Sequence, residues 1–243
     1  MSLQDYMGFL AAMLVCMIFT GFASAKVRSS FEKYNKVPCR AGITGHDAAV
    51  RLLRSGGVTC VKVGRIQGQL TDHYHPSKEE LNLSDSTYGS TSVAAVAVAA
   101  HEVGHVMQKH RGYSLFGLRT ALVPLVNFGS RLAMPLVLVG LLLHLYAATA
   151  NAETGFYVAM AGVILYGSSL LFALVTLPVE LNASRRAKQM LLESGILSAG
   201  EMDGASQVLS AAAMTYLASV FTSLVYFLRF LLQVLSLFGR RRD

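Results

Sequence analysis

The stretch 93-VAAVAVAAHEVGHVMQKH-110 decides the reading of this chain. Alanine dominates its first half, and alanine is the strongest helix former. No charged side chain occurs before Glu102. Thr91 or Ser92 stands where a helix N-cap belongs. The spacing therefore predicts one long helix over 93–110. On it, His101 and His105 are four residues apart, one turn apart on one face. Their ring nitrogens can converge on one Zn2+ at about 2.0–2.1 Å. Glu102 follows the first histidine and can take a proton from a water acidified by that ion. The neighbours Ala99, Ala100, Val103, Gly104, Val106 and Met107 are uncharged, as a buried site helix requires. The competing reading is a chance His-Glu-x-x-His match. The apolar context and the cap favour zinc, one ion per chain.

A hydrolytic zinc needs a third protein ligand and one open position. The longer pattern HExxHxxGxxH would place a histidine at 111, where the chain has Arg111. His110 is five residues past His105 and turns off the ligand face. Glu180 is the best third donor. It ends the uncharged run 155–179, and a carboxylate there needs a partner because burying a charge is costly. The plainer alternative pairs Glu180 with Arg185 or with solvent.

Composition places this site in a membrane protein. Only 14% of the 243 residues are charged and 53% are hydrophobic; a soluble domain averages about 25% charged. Runs 7–25, 132–150, 155–179 and 204–228 carry no formal charge, and each approaches the roughly 20 residues of a spanning helix. The fold expected is membrane α-helical, with about four membrane segments and a small α+β zincin-like metallopeptidase unit. Asp5 precedes the first run, which favours a retained anchor over a cleaved signal peptide. The fourth run continues past Arg229 to Phe238. It is expected either to break near Arg229 with 230–238 at the interface, or to form a re-entrant element. The organisation read from these boundaries is an anchor (1–25), a catalytic region (26–118), a transmembrane hairpin (119–179), a third-ligand helix and loop (180–203), and a C-terminal membrane segment with a basic tail (204–243).

Loop charge orients the chain. Lys26, Arg28, Lys33, Lys36 and Arg40 follow the first run, Arg111 and Arg119 precede the second, and Arg185, Arg186 and Lys188 follow the third. The loop around 151–154 has none. The protein is thus expected to be multi-pass in the plasma or inner membrane, with its active site on the cytoplasmic side. Arg240, Arg241 and Arg242 fit that rule only if the last segment turns back. The net charge of +7 lies in these loops, so no nucleic-acid partner is called for. Cys16, Cys39 and Cys60 are odd in number and form no CxxC pair, which argues against a disulfide scaffold or a cysteine-built zinc site.

Within 26–118, Thr44 caps a helix running to Arg54, and Ser55-Gly56-Gly57 ends it. Residues 58–66 read as a strand, 70–76 as a loop, 80–83 as a second strand and 84–90 as turn-rich. The 80–83 strand could accept a substrate peptide along its edge, or be a plain structural strand.

The stretches 70-LTDHYHP-76, 94-AAVAVAAHEVGH-105 and 177-LPVELNASRR-186 together resemble the YugP-type neutral zinc metallopeptidases of bacterial membranes. The resemblance covers most of the chain. It implies a membrane-embedded zinc endopeptidase with His101 and His105 as ligands, Glu102 as base and Glu180 as third ligand. It also implies a membrane-associated polypeptide substrate and the lipid bilayer as surroundings. His75 departs from the pattern, where an aspartate is expected. Other membrane zinc peptidases often carry an aspartate four residues after the glutamate; here that position is Ser184. His73, Tyr74, His75 and Asn182 are candidates for transition-state or substrate contacts, against the plainer reading of an ordinary polar loop. No feature sets an oligomeric state. The alternative function is a non-catalytic membrane scaffold with a structural zinc, which would have no use for Glu102. A transporter would rest on Arg131, His144 and Arg229, with no paired acidic residue or repeat behind it.

Overall fold

The computed structural model describes residues 3–146 and 152–239. Along them run α1 (Leu3–Asn35), α2 (Gly45–Ser55), β1 (Lys62–Ile66), β2 (His73–His75), β3 (Glu80–Ser84), α3 (Asp85–Tyr88), α4 (Val93–His110), α5 (Ser114–Tyr146), α6 (Ala152–Glu193) and α7 (Ala199–Gly239). The protein is mostly helical, with one small sheet. Four helices are long and apolar enough to cross a membrane, within Met7–Asn35, Ser114–His144, Glu153–Glu193 and Ala199–Ser236. Their exposed faces carry Ile18, Phe128, Ile164 and Leu232. Apolar surface of this extent suits lipid rather than water. Pro124 and Pro135 lie inside α5 and Pro178 inside α6, as membrane helices tolerate.

The last segment differs from expectation. α7 passes Arg229 without a break and continues to Gly239. It is neither re-entrant nor split, because no proline or glycine interrupts the residues around Arg229. Asn151, where a short loop between membrane segments is expected, and the tail Arg240 to Arg242 lie outside the described residues.

The chain forms two compact units. One comprises Met1–Gly21, Leu118–Leu177 and Tyr216–Asp243. Val137, Ala159, Val163 and Val234 are its buried core, with Phe156, Phe227 and Phe230 packed around them. A Cβ on Gly140 would lie 2.5 Å from the Ala159 nitrogen, so α5 and α6 touch there at backbone distance.

The second unit comprises Phe22–Gly117 and Pro178–Thr215. α2 begins as its sequence dictates. The Thr44 hydroxyl accepts the Asp47 N–H at 3.1 Å, while the Asp47 carboxylate accepts the Thr44 N–H. Ala48, Ala49, Leu52 and Leu53 form its buried face. The sheet order is β1-β3-β2. β1 runs parallel to β3, with Lys62 opposite Glu80; β2 runs antiparallel, with His73 opposite Asn82. Leu81 and Leu83 on β3 are fully buried in the same core as Val96, Val103 and Val106 of α4.

Four expectations change here. β1 covers only 62–66, not 58–66. Residues 73–75 form a strand within the expected loop. His-Tyr-His has no apolar alternation, so pairing to β3 decides its state, not propensity. Finally, β3 is the central strand, paired on both sides. It therefore has no free edge for a substrate peptide. The turn-rich segment holds the short helix α3.

Candidate active site

Ser92 opens α4, its hydroxyl accepting the Ala95 N–H at 3.1 Å. From there α4 is buried along most of its length. The His101 and His105 rings lie one turn apart, 4.8 Å between centroids and nearly perpendicular. Gly104 faces α6. A Cβ on it would come within 2.6 Å of the Ala183 carbonyl oxygen. Only glycine allows this approach, and the approach brings Glu180 to the histidines.

The Glu180 Oε2 atom is 3.2 Å from His101 Nε2 and 3.4 Å from His105 Nε2. Donors bound at about 2.0–2.2 Å around a tetrahedral ion stand roughly 3.3–3.6 Å apart. The trio fits zinc in spacing and in donor chemistry, two imidazoles and a carboxylate. Glu180 is 2% exposed.

Both imidazoles are held from behind. His105 Nδ1 lies 2.9 Å from Gln108 Oε1, an acceptor, and a proton on Nδ1 would leave the Nε2 lone pair free for a metal. His101 Nδ1 lies 3.1 Å from the Ser184 hydroxyl. Gln108 is fully buried. Its amide donates to the Val179 carbonyl at 2.7 Å and to Asn182 Oδ1 at 3.0 Å. Arg186 Nε also donates to Asn182 Oδ1.

Glu102 is buried. Burial pushes its carboxyl up to about 7; His101 pulls against this, Glu180 and Asp72 add to it, and His73 opposes it.

The remaining predicted residues divide. His73 lies in electrostatic reach of Glu102. Its Nδ1 is 2.9 Å from the Thr71 carbonyl and its Nε2 3.4 Å from the Asn82 amide. Tyr74 alternates to the other face of β2 and donates its hydroxyl to Glu79 at 2.5 Å. His75 shares the His73 face, and its Nδ1 is buried with no hydrogen-bond partner among the described residues. Asn182 is occupied by Gln108 and Arg186. Asp72 accepts both the N–H and the hydroxyl of Ser84 at 2.8 Å.

Two residues escaped the sequence reading. Gln108 carried a usable signal, standing three residues after His105 and so beside it on the helix. Ser184 sits where a carboxylate was sought, and a hydroxyl can meet the same imidazole nitrogen.

Residues 9–235 match the family described as "putative neutral zinc metallopeptidase". The chain is 41% identical over 215 residues to a protein of Bacillus subtilis (strain 168) named "putative membrane protease YugP". That alignment covers 88% of this chain and 91% of the relative. No solved structure matches.

Proposed function

The chain belongs to the family described as "putative neutral zinc metallopeptidase", and from that premise we propose that it is an integral-membrane zinc endopeptidase. Its substrate is a membrane or membrane-adjacent polypeptide. The observation that carries the reading is the convergence of His101, His105 and Glu180 beside the buried carboxyl of Glu102.

His101 and His105 through Nε2, and Glu180 through Oε2, would hold one zinc ion. When bound, zinc supplies Lewis acidity, acidifying a water and polarising the scissile carbonyl. Gln108 keeps His105 in the tautomer whose Nε2 lone pair is free, and Ser184 steadies His101. Glu102 takes the proton of the attacking water on its carboxylate and delivers it to the departing amine nitrogen. The described donors in this group number three. A structural zinc would require a fourth protein donor, so the scaffold reading is not favoured.

Four membrane-capable helices and a relative named as a membrane protease support a multi-pass protein. The basic residues between the first and second segments favour the cytoplasmic side of the plasma membrane for the site.

The test uses the full chain purified in detergent. Zinc content and cleavage of an unfolded protein are measured for wild type and Glu102→Gln. The expected result is one zinc in both proteins and cleavage lowered by about 10²–10⁴-fold in the variant. Equal cleavage would remove Glu102 from the mechanism. Wild type that binds no zinc would remove the metallopeptidase reading.

A further inference from the structure

Past the zinc trio, at the C-terminal end of α4, three more donors converge. Cys60 precedes β1, Glu79 lies in the turn between β2 and β3, and His110 ends α4. We infer that Cys60, Glu79 and His110 form a second cation site, which takes a thiophilic divalent ion of the zinc class.

The Cys60 sulfur lies 3.9 Å from His110 Nε2, and His110 Nε2 lies 3.3 Å from Glu79 Oε2. All three donor atoms fall within 4.8 Å of one another. Around a tetrahedral ion with bonds of about 2.3 Å to sulfur and 2.0–2.2 Å to nitrogen and oxygen, donors stand roughly 3.4–3.6 Å apart. The Cys60 side chain is on the surface, so it can close the remaining gap without disturbing the core. Thiolate, imidazole and carboxylate make a donor set that calcium and magnesium, which prefer oxygen, do not select.

The carboxylate is already positioned. Lys109 engages its Oε1 and also donates to the Pro76 carbonyl at 2.5 Å, while the Tyr74 hydroxyl donates to Oε2. The lysine therefore lies on the Oε1 side, and Oε2 is the oxygen that meets His110. The Glu79 backbone has φ of +52°, a conformation that strains a non-glycine residue and persists only where its surroundings hold it. Those same contacts hold it. On binding, the Cys60 thiol releases its proton to solvent and His110 coordinates through neutral Nε2. The ion then ties the strand-linking turn and the segment before β1 to the helix that carries His101 and His105. Three side chains leave at least one coordination position for water.

This inference does not depend on the trio, and its test keeps the two apart. The reduced full-length protein in detergent is titrated with Cd2+, reading the ultraviolet thiolate-to-cadmium charge-transfer absorption. Wild type should develop the band at micromolar Cd2+ with a stoichiometry of one thiolate site. Cys60→Ser should abolish it, His110→Asn should weaken the binding at least 10-fold, and a His101→Asn, His105→Asn double variant should retain it. A band of wild-type height in Cys60→Ser overturns the assignment. So does saturation only at millimolar Cd2+, or unchanged affinity in His110→Asn.

Discussion

The Nδ1 atom of His105 lies 2.9 Å from the side-chain oxygen of Gln108, one turn further along the same helix. An amide oxygen at that distance calls for the proton on Nδ1. Replacing Gln108 with leucine keeps the volume and removes the acceptor. Zinc affinity, read by competition with a chelator, should fall about 10–100-fold. Unchanged affinity would show that packing alone aligns the ring.

Gly104→Ala tests the approach of α4 to α6. The added methyl would meet the Ala183 carbonyl oxygen at 2.6 Å, and that atom is backbone and cannot swing aside. The helices must separate, moving Glu180 from the histidines. A loss of about 1–3 kcal/mol in stability is expected, together with weaker zinc retention. Wild-type zinc affinity in this variant would count against helix contact as the device that sets the trio.

Leu83→Ala addresses the sheet. Leu83 is fully buried in the core shared with α4. Its truncation should cost about 2–5 kcal/mol, read as a lowered denaturation midpoint. Because Leu83 supplies no donor to the trio, zinc affinity in the folded fraction should stay near wild type.

The carboxyl of Glu79 supplies a pH signature. Burial raises it, but hydrogen bonds from Lys109, Tyr74 and His110 bring it down from 4.5 to about 2. A depressed acid stabilises the fold above its unfolded value, and the contribution is lost as pH falls through its folded value. Glu79→Gln should therefore melt below wild type at neutral pH. The gap should narrow below about pH 4.5 and vanish near pH 2. A gap that stays constant across that range would remove the ionised carboxylate from the account.

Much of this arrangement is legible in the chain. Capping residues and helical periodicity mark α2 and α4, because local hydrogen bonds and burial decide both. The four apolar helices follow from runs without charge. His101, Glu102 and His105 are visible because one helical turn fixes their relation. Glu180 is visible because a lone carboxylate at the end of an apolar run needs company. β2 is hidden, since three residues of His-Tyr-His become a strand only through pairing with β3. The burial of β3 between two neighbours is likewise a property of the sheet and not of residues 80–83. The continuity of α7 past Arg229 escapes for a related reason: a single cation does not break a helix. Ser184 and Gln108 are hidden because a hydroxyl and an amide, not a carboxylate, meet the imidazole nitrogens.

All three donors of the trio ride on helices, and no loop contributes one. The spacing of the trio follows from the distance at which Gly104 meets Ala183. Calcium wants six to eight oxygens at about 2.3–2.6 Å, and a trio with one carboxylate and two imidazoles offers neither that number nor that chemistry, so the proposed site would sort cations by its donors alone.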